Sequence, residues 1–257
     1  VWENNLGGSF SERALDIEET NDSAYVVAGY SGSSDGDVGG NQGNRDYWIV
    51  KLNSSGQLVW ENNLGGSTRE RAQDIDHTMV GGFLVACRSE SIYGDVGGNQ
   101  GDYDYWIVKL NSSGQLVWEN NLGGSDFEQA EDIEQTADSG YVVAGYSGSS
   151  DGDVGGNQGR DDYWIVKLNS SGQLVWENNL GSSGQDFPED IEQTNNGGYV
   201  VAGTSGSSDG DVGGNQGLFD YWIVKLNNSG QLVWENNLGG SDDEYAWAIE
   251  QTNDGSY

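Results

Sequence analysis

The residues best suited to chemistry are the acids of one recurring loop. It reads Asp35-Gly-Asp-Val-Gly-Gly-Asn-Gln-Gly and closes on Asp46. The same string returns from Asp151 to Asp162 and from Asp209 to Asp220. Counted as a twelve-residue calcium loop, it has Asp35 and Asp37 at positions one and three, Gly40 at six and Asp46 at twelve. Calcium loops place acids at one and three, a turning glycine at six and a glutamate at twelve. The candidate ligands are Asp35, Asp37, Asn41 and Asp46, then Asp95, Asn99 and Asp104, then Asp151, Asp153, Asn157 and Asp162, and finally Asp209, Asp211, Asn215 and Asp220. Position five is glycine (Gly39, Gly155, Gly213), position twelve is the shorter aspartate, and Tyr93 replaces the first acid of the second copy, which should therefore bind weakly or not at all. The same residue types also favour turns for conformational reasons alone. The expectation is Ca²⁺ that stabilises the loops and takes no part in catalysis.

Other reactive side chains are isolated. His77 is the only histidine and Cys87 the only cysteine; equivalent positions hold Glu19, Gln135 and Gln193, and Gly29, Gly145 and Gly203. Both, with Tyr93, mark the second unit as a drifted copy and not as a hidden active site. Carboxylate pairs such as Glu131/Asp132 are frequent, but sequence gives them no acid–base geometry. Trp48, Trp60 and their equivalents read as core and less as a sugar-stacking platform. Lys51, Lys109, Lys167 and Lys225 recur once per unit and read as structural partners of nearby acids. Asn53-Ser-Ser55 matches a glycosylation acceptor, yet it stands where a hairpin turn wants Asn and Ser.

These loops belong to a tandem repeat. The string VWENNLG begins at Val1, Val59, Val117, Val175 and Val233, a constant step of 58 residues. Val1 and Val233 share one phase and there is no initiator Met, which leads us to expect a piece of a longer array. Acids outnumber bases 42 to 10, for a formal charge of −32, so nucleic acid and anionic membrane surfaces would be repelled. One cysteine excludes an internal disulfide framework, and no apolar run is long enough to cross a membrane as a helix.

Each unit spells four strands. In the third, these are Asp132 to Thr136, Tyr141 to Tyr146, Tyr163 to Leu168 and Gln173 to Leu180, separated by Gly, Asn, Asp and Ser. Tyr-Val-Val-Ala and Tyr-Trp-Ile-Val are apolar on both faces, so both faces should be covered. Four short antiparallel strands per unit, stacked between like neighbours, describe an all-β propeller of four-stranded blades. A solenoid is the rival, but its coils are shorter than 58 residues. The blades should span about 10–66, 67–124, 125–182 and 183–240. Residues 1–9 would supply the outer strand of a partial blade, and 241–257 an inner strand.

Tyr163-Trp-Ile-Val-Lys-Leu-Asn-Ser-Ser-Gly-Gln-Leu-Val-Trp176 resembles the third and fourth strands of quinoprotein-type propeller blades. No cofactor-site residue matches, so no quinone is implied. The whole unit, with Gly-Tyr-Val-Val-Ala-Gly ahead of Gly-Asp-Val-Gly-Gly-Asn and Asp-Tyr-Trp-Ile-Val-Lys-Leu, resembles repeats of large secreted and surface proteins of Bacteroidetes type. That resemblance implies an extracellular or cell-surface propeller.

Near-identical units suit display and multivalent contact better than catalysis, which needs one asymmetric constellation. The expectation is therefore a non-enzymatic structural or interaction module. Its partner would be a protein or glycan, or further copies of the repeat completing a ring. A multivalent lectin-like module is the alternative, and a glycan-active enzyme ranks third.

Overall fold

The computed structural model describes residues 1–257, and the chain is all-β. The first sheet holds β1 (Glu12–Glu19), β2 (Tyr25–Ser31), β3 (Asp46–Leu52) and β4 (Leu58–Leu64). The second holds β5 (Glu70–His77), β6 (Phe83–Ser89), β7 (Asp104–Leu110) and β8 (Leu116–Leu122). The third holds β9 (Glu128–Gln135), β10 (Tyr141–Ser147), β11 (Asp162–Leu168) and β12 (Leu174–Leu180). The fourth holds β13 (Asp186–Gln193), β14 (Tyr199–Ser205), β15 (Asp220–Leu226) and β16 (Leu232–Leu238). Every sheet is an antiparallel meander in chain order, the blade of a β-propeller.

Turn chemistry sets the register. In the β3–β4 hairpin, Asn53 Oδ1 accepts the backbone N–H groups of Ser55 and Gln57, and Gly56 takes a left-handed φ of 77°. The β1–β2 turn needs a left-handed residue too. Ser23 and Ser139 supply it at φ 57° and 65°, and Gly81 and Gly197 supply it in the other copies. A bulge recurs at Ala14/Asp16, Ala72/Asp74, Ala130/Asp132 and Pro188/Asp190, so the inner strand of every blade bends at one place.

The chain forms two compact units, Val1–Leu122 and Gly123–Tyr257, each holding two sheets. In the first unit, Val26, Ala28, Tyr47 and Ile49 of one sheet share a core with Ala72, Val85, Trp106 and Val108 of the next. The Tyr47 ring lies 4.5 Å from that of Trp106 and its hydroxyl donates to the Trp106 carbonyl at 3.2 Å. In the second unit Tyr163 meets Trp222 in the same way, at 4.5 Å and 3.1 Å. This packing explains why strands two and three of each repeat are apolar on both faces. Burial of each such side chain contributes about 2–3 kcal/mol.

The segments 1–9 and 241–257, expected as strands, form none. Neither has a neighbouring strand with which to build a ladder. Their side chains nevertheless follow the repeat. Trp2 packs on Tyr25 as Trp60 packs on Phe83, and Asn4 donates to Gly56 O as Asn62 donates to Gly114 O. Ile249 N donates to Asp190 as Ile191 N donates to Asp132.

Candidate functional site: the acidic loop face

The acids at the first and third loop positions turn toward the chain that leads into their own blade. Asp35 accepts Ser9 N at 2.8 Å, Asp151 accepts Ser125 N at 2.8 Å and Asp209 accepts Ser183 N at 3.3 Å. Asp37, Asp95, Asp153 and Asp211 accept Gly7, Gly65, Gly123 and Gly181 N at 3.1–3.4 Å. A serine two residues ahead of each first position accepts the next backbone N–H in all four blades, Ser33 from Phe10, Ser91 from Thr68, Ser149 from Asp126 and Ser207 from Gly184. These aspartates close the Gly-Gly-Ser segment against the loop as caps for otherwise unpaired donors. Neighbouring blades are also joined, since Gln42 donates to Asp95 at 2.6 Å and Gln158 to Asp211 at 2.7 Å.

Asn41, Asn157 and Asn215 brace the loop internally. Each donates to the last carbonyl of strand two (Ser31, Ser147, Ser205) and accepts the N–H of Gly43, Gly159 or Gly217. Asn99 does the same with Ser89 O and Gly101 N. The twelfth-position aspartates, Asp46, Asp104, Asp162 and Asp220, are completely buried at the start of strand three. Each accepts one backbone N–H, from Gln42, Gln100, Gln158 and Gln216.

A second carboxylate stands beside three of these buried ones. Glu70 Oε2 and Asp46 Cγ lie 2.6 and 2.7 Å from the point where a Cβ on Gly65 would stand. Asp186 Oδ2 and Asp162 Oδ1 lie 2.5 and 2.7 Å from the same point on Gly181, and Glu244 joins Asp220 around Gly239. Burial, reinforced by the neighbouring charges, pushes Asp46 and Asp162 up to about 6. The Oδ1 atoms of Asp46, Asp162 and Asp220 have no hydrogen-bond partner.

The expected calcium ligands do not fit one ion as a set. Asp35 Oδ1, Asp37 Oδ2 and Asn41 Oδ1 each accept a different backbone N–H, and position twelve is buried while the first acid is exposed. No group of three or more His, Cys, Asp or Glu side chains is gathered as a metal centre requires.

The remaining candidates are structural. Trp106, Trp164 and Trp222 are fully buried and Trp48 nearly so, each donating its indole N–H to a glutamate on strand four. Lys167 is buried and donates to Thr136, Asp138 and the Leu168 carbonyl; Lys51 pairs with Asp22. Desolvation pushes Asp138 up, but the hydrogen bonds from Thr136, Gly140 N–H and Lys167 together hold it at about 2. Cys87 is buried, with Sγ against the Trp106 carbonyl and its thiol pushed up by burial. The His77 ring packs edge-on against Phe83.

Two features escape a reading of the repeat alone. The outer face of the first sheet carries an apolar cavity of about 260 Å³, lined by Leu6, Ala14, Val27, Trp48 and Val50 among others. Between the first and second sheets, four arginines, two tyrosines and Glu70 line a smaller cavity of about 110 Å³. The usable sequence signal was the departure from the repeat: no arginine stands at these positions in the third and fourth units.

No protein-family model and no curated protein matches this chain. Among solved structures it is similar to BamB from Moraxella catarrhalis, at 16% identity and a TM-score of 0.42 over 88% of this chain and 62% of that one. It is also similar to Sqt1 from Chaetomium thermophilum, at 10% identity and a TM-score of 0.43 over 97% of this chain and 67% of that one. The chain thus spans less than two thirds of the BamB structure, and no residue is carried over from either protein.

Proposed function

We propose that the chain is a non-enzymatic, extracellular or cell-surface repeat module that works by docking blade on blade with further copies of its own repeat. The observation that carries this reading is Tyr221. It is 38% exposed, whereas Tyr47, Tyr105 and Tyr163 at the same place in the other blades are wholly buried. Tyr47 and Tyr163 each fill the face of a following sheet and bond its tryptophan carbonyl. The apolar cavity on the first sheet, floored by Trp48, is the kind of face that such a tyrosine fills. A second copy of this chain is therefore the occupant assigned to that face. A head-to-tail contact of this kind builds rings or filaments. Secretion is supported by the resemblance to Bacteroidetes-type surface repeats.

Sedimentation velocity over a concentration series tests the reading. Self-association is expected, growing with salt because the −32 charge opposes it, and Tyr221→Arg should abolish it. A chain that stays monomeric, or a variant that associates as before, would overturn the proposal.

A glycan-binding reading has one observation in its favour. Phe127, Tyr146, Phe187, Phe219 and Tyr245 form a continuous row in the second unit, with successive rings 4.8–6.5 Å apart. Glycan-array binding that is lost in Tyr245→Ala would favour it. Calcium keeps only a stabilising part in the proposal, and the loop geometry weighs against it. A melting temperature raised by millimolar calcium above that in magnesium at equal ionic strength would restore it.

A further inference from the structure

The chain has six arginines against a formal charge of −32, and four of the six line one cavity: Arg45, Arg69, Arg71 and Arg88. They come from different parts of the fold. Arg45 precedes β3 and Arg69 precedes β5; the two are joined by a parallel β-bridge, with Glu70 N donating to Arg45 O at 2.7 Å. Arg71 on β5 stands directly opposite Arg88 on β6. Like charges placed opposite one another across a ladder are destabilising. The strand pair thus brings two guanidinium side chains to one place.

The cavity supplies geometry but little negative charge. The Arg45 guanidinium stacks over the Tyr30 ring at 5.0 Å and that of Arg88 over Tyr103 at 4.6 Å. Stacking on an aromatic face fixes the plane of the guanidinium, whose N–H donors lie along its edge. Glu70 is the one carboxylate in the lining, and its oxygens are already engaged by Gly66 N at 3.0 Å and Ser89 Oγ at 2.8 Å. Arg45 and Arg69 are exposed and form no ion pair. A volume of about 110 Å³ matches roughly four waters, room for one oxyanion group and not for a sugar ring.

The cluster is not a product of the repeat. Position 45 becomes Tyr103, Asp161 and Phe219 in the other units; position 69 becomes Ser11, Phe127 and Gln185. Position 71 becomes Arg13, Gln129 and Phe187, and position 88 becomes Tyr30, Tyr146 and Thr204. Four arginines meet in one place only, in an otherwise acidic chain.

We propose that this cavity is a binding site for a tetrahedral oxyanion, the sulfate or phosphate group of an anionic ligand. Arg45 and Arg69 approach it from the solvent side, and Arg71 and Arg88 from the strands. Paired guanidinium donors match the edges of such a group, and charge-assisted bonds of this kind are about twice as strong as neutral ones. The site is unique in the chain, so one ligand per chain is expected.

Isothermal titration of the full chain with inorganic sulfate and with inorganic phosphate, at constant ionic strength in chloride, tests this. Saturable binding at one site is expected. Arg45→Asp combined with Arg69→Gln should weaken it by about tenfold or more, equivalent to at least ~1.4 kcal/mol. Those replacements are the residues that the third and fourth units carry at the same positions, so an unchanged thermal melt without ligand checks that the fold persists. Arg160→Gln, outside the cavity, should bind as the parent does. Glucose 6-sulfate and glucose 6-phosphate then separate the two sources, and tighter binding of either one supports the site. Absence of binding by both inorganic anions, or equal binding by the double variant, would overturn the proposal.

Discussion

Replacing Asp162 with asparagine should make the protein more stable at neutral pH, and the effect should vanish in acid. Asp162 is completely buried beside Asp186, with Oδ2 accepting Gln158 N at 2.6 Å and Oδ1 unpartnered. Burial, with the charges of Asp186 and Asp211, raises it from 3.8 to about 6. A carboxyl raised in the folded state binds its proton more tightly there than in the unfolded chain. It therefore adds stability that is complete below pH 3.8 and is lost as pH rises through about 6. From these two values, stability falls by about 1.4 kcal/mol between pH 5 and pH 7.5 on account of this one group. In Asp162→Asn, Oδ1 keeps the Gln158 bond while Nδ2 occupies the orphaned position and can donate toward Asp186. Urea unfolding of parent and variant at both pH values is the assay. The variant should be more stable at pH 7.5 by about 1–3 kcal/mol, and its loss between pH 5 and 7.5 should be smaller by about 1.4 kcal/mol. Equal pH slopes, or equal destabilisation at both pH values, would refute the reasoning, because each means that the buried carboxyl is not the group that titrates.

Tyr163→Phe removes the hydroxyl that satisfies the Trp222 carbonyl in the core of the second unit, and should cost about 1–3 kcal/mol in chemical denaturation. Gly230→Ala should be worse than Gly197→Ala. Both glycines have left-handed φ near 80°, but a Cβ at 230 would meet the Trp176 ring at 2.6 Å, while one at 197 meets nothing within 4 Å. The expected cost is about 1 kcal/mol at position 197 and clearly more at 230, read from melting curves. Cys87, buried against the Trp106 carbonyl, should react with a thiol reagent only after unfolding; prompt reaction at pH 8 would contradict its placement.

Much of the fold was legible because its signals are local. Asn53-Ser-Ser-Gly56 specifies its own turn through an aspartate-like side chain and a left-handed glycine, and Tyr47-Trp-Ile-Val50 announces two covered faces by composition. The ends form no strand because a ladder requires a neighbour, and a string such as Val1-Trp-Glu-Asn-Asn-Leu6 looks the same with or without one. The bonds of the loop acids were hidden for a related reason. Their spacing matched a calcium loop, but Asp35 and Asp151 bond donors 26 residues away in sequence, a contact that no local pattern reports. The arginine cavity was hidden twice over. Its members are spread from residue 45 to residue 88, and three of them lie in the unit whose departures from the repeat read as drift.

One set of bonds that join one blade to the next shares a fixed offset. Tyr47 reaches residue 106, Tyr163 reaches 222, and Asp16, Asp132 and Asp190 receive the N–H of residues 75, 191 and 249, each 59 positions on. Such bonds tie neighbours and skip no blade. Inserting or excising one whole unit therefore re-forms this set of bonds from the same parts. A feature built by departures from the repeat, such as the four arginines, survives only where its own two units stay together.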